Sequence, residues 1–229
     1  MFTIKLPLIA KKPELPFLRD LKNVTPKMIS TYGKWFKEAS LGTNVPLSVL
    51  YAMAMVESTG NHYTKSGTVN VTGAERSVGI MQISPASLYE TFKFEIKRNR
   101  LTPQSQAIIK KYLPNFKYTL GKFIPMSPNK STLDMFFEAL KNPEFNIWAS
   151  SIVLRRLLED TAQIDGTMRL DKAIVKYNVG EYSRPTKTMA YKLGDTTTLI
   201  KSANLPIITK YYIVKAVGID GAMMYFRNV

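Results

Sequence analysis

The 229-residue chain has no cysteine and a single histidine, His62. Without cysteine it has neither a disulfide nor a thiolate metal site, and its redox compartment is left open. A histidine-based catalytic triad or a multi-histidine metal centre would have to be built on that one imidazole, which argues against both. No strand-like alternation is long enough for a large sheet, and there is no internal repeat.

Acidic residues are scarce too: 17 Asp and Glu stand against 32 Lys and Arg, a formal charge of +15. That excess favours a polyanionic partner such as nucleic acid, anionic lipid or an acidic polymer. The cations are scattered or in short clusters, Lys97-Arg98 and Lys110-Lys111, without a long basic arm, so dedicated nucleic-acid binding is not expected. The apolar part of residues 1–12 is broken by Lys5 and Pro7, and no secretory signal is expected. Residues 39–56 are free of charge, but Thr43, Asn44, Pro46 and Ser48 make them a buried helix sooner than a membrane span, and no transmembrane segment is expected.

What the chain does have is helical patterning and, at 45% hydrophobic residues, material for one sizeable core. Residues 1–26, with four prolines among lysines, read as an extended basic N-terminal arm, and 27–229 as one mainly α-helical domain. Helices are predicted from 26 to 39, from about 45 to 58, from Pro85 to about 94, over 103–112 and 133–140, from Pro143 onward, over 172–179 with Asp171 as cap, and over 207–217. The Gly-, Asn- and Thr-rich residues 59–73 read as a loop with a small hairpin around Val69 and Val71.

One residue in the second helix needs explaining. Glu57 ends an almost wholly apolar run, and at helical spacing it shares a face with Leu50 and Met53. Thr43 and Asn44 are cap-type residues before it, Pro46 suits a first turn, and Gly60 is a terminator. Partial burial and the negative end of the helix dipole both disfavour its ionised form and raise its pKa, as a general acid requires. A snorkelling glutamate closing a core helix fits the same stretch.

Four segments stand out in order: Glu57-Ser58, Gly79-Ile80-Met81-Gln82, Val175-Lys176-Tyr177-Asn178-Val179-Gly180, and Leu205-Pro206-Ile207-Ile208-Thr209-Lys210-Tyr211-Tyr212-Ile213. Together they resemble the motifs of the lytic transglycosylase and goose-type lysozyme family. Asn142-Pro143-Glu144-Phe145-Asn146-Ile147 also looks like the family's lead into its third motif. The resemblance implies a lysozyme-like helical domain, with a long loop between Ser58 and Gly79, a helical insertion at about 95–141, and an extended segment from Glu181 to Asn204.

It also implies cleavage of the β-1,4 bond between N-acetylmuramic acid and N-acetylglucosamine, with peptidoglycan glycan strands as the partner. Glu57 would be both acid and base, closing a 1,6-anhydro ring without water. Ser58 would help fix it; Gly79, Met81 and Gln82 would approach the sugar; Tyr177 and Asn178 would hold the N-acetyl group and line the cleft, which Tyr212 would complete beside Glu57. Glu75, Asp165 and Glu181 are candidate second acids, Glu75 foremost, but loop carboxylates are usually solvated. His62 is expected to stay out of the chemistry, which needs no imidazole. No metal and no organic cofactor is expected. A water-using muramidase and a non-catalytic wall-binding component are the alternatives. A substrate outside the membrane, with no secretory signal expected, points to carriage by a phage virion or tail, or by a conjugation or secretion apparatus acting in the periplasm or wall.

Overall fold

The computed structural model describes residues 4–5, 11–62, 77–162, 166–179, 207–218 and 220–228. These are mainly helical: α1 Leu15–Thr43, α2 Leu47–Ser58, α3 Pro85–Lys97, α4 Pro103–Tyr112, α5 Lys130–Leu140, α6 Pro143–Glu159, α7 Leu170–Val179, α8 Ile207–Val217 and the short α9 Ala222–Tyr225. Two two-residue strands, β1 Ile4–Lys5 and β2 Met168–Arg169, pair in parallel, Ile4 with Met168. No described helix is long and apolar enough to cross a membrane. The hairpin expected around Val69 and Val71, and Glu75, Asp165 and Glu181, lie outside the described residues, as does the 181–204 extension.

The first helix corrects the reading of residues 15–26 as extended. Pro16 falls in the first turn, where an absent N–H costs nothing. Pro26 sits inside the helix on its exposed side. Around it Phe17, Leu21, Thr25, Met28, Tyr32, Phe36 and Ala39 form one buried stripe. That continuous stripe outweighs the one ladder bond lost at Pro26. Thr43 and Asn44 finish this helix instead of capping the next: the Thr43 hydroxyl donates to the Ala39 carbonyl at 2.7 Å, and Asn44 is left-handed at φ 60°.

Two helices carry the core. In α2 every residue from Val49 to Val56 is buried, because α1, α8, α9 and the final 3-10 turn surround it. In α6 burial runs unbroken from Phe145 to Leu158, against α1, α3, α4, α5 and α7. Local caps fix several starts: Ser84, Thr102, Asn129 and Asn142 each accept a backbone N–H of the following turn. Asp171 is not a cap. It lies fully buried inside the first turn of α7, where it accepts Arg169 Nε at 2.9 Å and Nη2 at 2.6 Å.

The stretch from 95 to 141 is built into the core. Phe92, Phe116, Phe136 and Tyr89 pack edge to face or tilted at centroid distances of 5.1–6.4 Å. Beside them the fully buried Glu95 pairs with Arg155 of α6 and, at 2.6 Å, with Arg100. These contacts lock α3 onto α6 and so set the position of the turn that precedes α3.

Candidate active site

The helix carrying Glu57 ends in a left-handed residue, Thr59 at φ 54°, with Gly60 N–H returning to the Ala54 carbonyl at 3.1 Å. Glu57 therefore occupies the last turn, as its sequence position implied. Its Oε1 is buried without a hydrogen-bond partner, and its Oε2 lies 3.5 Å from the Tyr212 hydroxyl of α8. The second contact is long for a hydrogen bond. Burial is the dominant influence and pushes the carboxyl up to about 8, with the Tyr212 contact pulling weakly the other way. Tyr212 is in turn raised by its own burial and by the neighbouring carboxyl.

A tight turn faces this helix end. Val78 and Ile83 exchange backbone bonds at 2.9 and 3.2 Å, and between them Gly79 and Gln82 take positive φ, 75° and 48°. Its polar groups are paired from several directions. The Gly79 carbonyl accepts Gln82 Nε2 at 2.6 Å; the Ile80 carbonyl accepts the Ser58 hydroxyl at 2.7 Å; the Met81 carbonyl accepts the Tyr177 hydroxyl at 2.6 Å. The Ile80 N–H donates to His62 Nδ1 at 3.2 Å and the Met81 N–H to Asn146 Oδ1 at 3.0 Å. Asn146 Nδ2 donates to the Val78 and Leu140 carbonyls at 2.8 and 3.2 Å. With its polar groups held from several elements at once, the turn is a fixed backbone beside Glu57.

These bonds and the burial around them show where the expected residues lie. Ser58 is 6% exposed and Met81 fully buried; both belong to the scaffold, Ser58 as a staple and Met81 as core. On its Cβ side Gly79 closely approaches Asn146, whose Nδ2 lies 2.4 Å from where a glycine Cβ would be. Gln82 and Tyr177 are half-buried, and each spends a donor on the turn. Burial raises the Tyr177 hydroxyl pKa well above its ordinary value, with the Glu57 carboxyl adding to the effect. Asn178 is half-buried, and its Oδ1 accepts the hydroxyl of the fully buried Thr209 at 2.6 Å, which orients the amide and leaves its N–H donors for a ligand.

The geometry therefore brings Glu57, Tyr212 and Tyr177 together, with Asn178 bonded to the helix that carries Tyr212. Asn146 and His62 contribute as well, through bonds to the turn from distant positions in the chain. Asn146 lay within the quoted 142–147 segment, and only its invisible partner, a turn 65 residues earlier, separates it from an ordinary helix-start asparagine. Among the described residues no group of His, Asp or Glu is placed to hold a metal ion.

No curated protein and no solved structure matches the chain. Residues 34–111 match the family model described as the transglycosylase SLT domain. The match takes in the C-terminal third of α1, all of α2 and α3, and most of α4, with Glu57, Ser58 and the 78–83 turn inside it and Tyr177, Asn178 and Tyr212 beyond it. Over these residues the chain is similar to the transglycosylase SLT domain, which supports a likeness to the lytic transglycosylase and lysozyme-like family.

Proposed function

We propose that the protein is a peptidoglycan lytic transglycosylase in which Glu57 is the sole acid and base. The observation that carries this reading is the setting of that carboxyl: at the end of α2 its Oε1 is shut away without a hydrogen-bond partner, and burial pushes the pKa up to about 8, which favours the protonated form at neutral pH. Among the described residues, the influences on its titration are burial and Tyr212, with no second carboxylate acting on it. Two-carboxylate glycosidases need a partner acid about 5–10 Å away.

The steps balance without water. Glu57 gives its proton to the glycosidic oxygen as the bond from the muramic C1 to that oxygen breaks. Tyr212 stabilises the carboxylate that results, while the sugar's own N-acetyl group supports the electron-poor C1. Asn178 is suited to hold the acetamido carbonyl through its free N–H groups. The C6 hydroxyl then bonds to C1, its proton passes to Glu57, and the 1,6-anhydro ring closes with the acid restored. The cationic surface, at +15 overall, favours a polymer bearing lactyl and peptide carboxylates.

Mass spectrometry of digested peptidoglycan tests the reaction. The expected products carry 1,6-anhydromuramyl ends, absent with Glu57→Gln. Reducing ends alone would establish the hydrolytic muramidase, and intact strands the non-catalytic alternative. For delivery, our reading is carriage by a phage particle, with a conjugation or secretion apparatus as the other carrier; absence of the protein from purified virions would discard the phage.

A further inference from the structure

The chain's one imidazole takes no part in the steps above, yet His62 is 5% exposed and bonded at both ring nitrogens. Nε2 lies 2.7 Å from the Lys141 carbonyl, which can only accept, so Nε2 carries a proton. Nδ1 lies 3.2 Å from the Ile80 amide, which can only donate, so Nδ1 is bare. The neutral Nε2–H form alone satisfies both neighbours; a ring protonated at Nδ1 would set two N–H groups against each other.

Those neighbours matter by where they sit. Lys141 caps the C-terminus of α5, and its carbonyl is one of the groups a helix end leaves without a partner. Ile80 is in the middle of the 78–83 turn, and its carbonyl takes the hydroxyl of Ser58, the residue after Glu57. A continuous line of bonds thus runs from the end of α5 through the ring and the turn to the end of α2. The ring reaches the turn from the α2 side, while Asn146 grips the same turn from α6.

We propose that His62 is a positioning residue for Glu57: a neutral imidazole clamp that fixes the 78–83 turn against the end of α2. Its role in turnover rests on Glu57 being the acid; the clamp itself does not. Burial lowers the imidazole pKa, with the Lys141 bond opposing, a direction that favours the uncharged ring which the two contacts require. Tyr32 of α1 lies against it at a ring-centroid distance of 6.4 Å and closes that side.

Three measurements test the clamp. In the wild-type protein, nitrogen NMR of this sole histidine is expected to show protonated Nε2 and bare Nδ1. Exchange of the Ile80 amide is expected to be at least about tenfold faster in His62→Leu than in wild type. It should stay slow in His62→Gln, which keeps one donor and one acceptor. In glycan cleavage, His62→Leu is expected to lose roughly 10- to 100-fold in kcat with KM changed less than about twofold, and His62→Gln to recover most of the loss. A ring protonated at Nδ1 would overturn the clamp. So would an Ile80 amide indifferent to the Leu substitution, and a loss confined to KM would make His62 a sugar contact instead. If His62→Leu does not fold, the wild-type tautomer and the Ile80 protection in His62→Gln decide. If wild type cleaves nothing, the assignment of Glu57 fails while the nitrogen and amide measurements still decide the clamp.

Discussion

The amide of Asn146 stands where a Cβ on Gly79 would go, 2.4 Å from that position, and it holds the Val78 carbonyl and the Met81 N–H on either side. Gly79 is also at φ 75°, which disfavours any side chain. Gly79→Ala is therefore expected to cost about 2–4 kcal/mol, combining left-handed strain with overpacking. Asn146→Asp keeps the shape but points a carboxylate at two carbonyls, and should destabilise comparably. Urea unfolding measures both. A cost below about 1 kcal/mol for Gly79→Ala would mean that Asn146 swings aside and the turn is not fixed by it.

The 3.5 Å approach of the Tyr212 hydroxyl to Glu57 carries a sign. A hydrogen bond to the carboxylate favours the ionised form, and here it opposes the burial that lifts the pKa to about 8. A general acid must be protonated, so kcat/KM is expected to fall as pH rises through about 8. In Tyr212→Phe the opposing influence is gone and the alkaline limb should move to higher pH. The same variant should lose about 3- to 10-fold in kcat, because the carboxylate formed in the first step has lost a donor. Rate profiles across pH decide; a limb that moved down would show that Tyr212 does not stabilise the anion.

Local chemistry explains what could be read in advance. The starts at Pro85, Pro103 and Pro143 are legible because a proline and the first turn it suits are neighbours in sequence. The acid was legible for the same reason, since an apolar run ending at Glu57 followed by Gly60 is a local pattern. No proline marks α5, which is capped by Asn129 and begins at Lys130, three residues before the predicted start at Leu133. Reading prolines as breakers hid the first half of α1, where a buried stripe carries the helix through Pro26. Ser58, Met81, Asn146 and His62 were illegible for a different reason. Their roles come from partners 18 to 96 positions away, which no window along the chain contains.

Keeping the acid protonated has a consequence for the fold. The Glu57 pKa is about 8 when folded against an ordinary 4.5, so between those values the folded chain holds a proton that the unfolded chain releases. Stability should therefore fall as pH rises from 4.5 to about 8 and level off above. Glu57→Gln removes that dependence, and the variant should be more stable than wild type at pH 9 while matching it near pH 4. Its cleavage rate should drop by about 10²- to 10⁴-fold at every pH. Thermal melts across pH test the first expectation. Equal stability of the two proteins at pH 9 would mean that Glu57 reaches water and ionises freely.

Asn178 offers the last test, because its orientation is set by a residue that no sugar touches. Thr209 is fully buried in α8, and its hydroxyl donates to Asn178 Oδ1 at 2.6 Å. That bond engages the amide's oxygen within the protein and leaves its N–H donors to be used elsewhere. Thr209→Val keeps the volume and the β-branch but removes the donor, and the amide is then free to rotate. If Asn178 holds an acetamido carbonyl, KM for glycan strands should rise about 3- to 10-fold, with the pH at which activity falls left unchanged. Asn178→Ala should raise KM further, and adding Thr209→Val to it should have no additional effect, because the valine acts only through the amide. Additive losses in that double variant would show Thr209 supporting the site through α8 itself, by way of Tyr212 on the same helix.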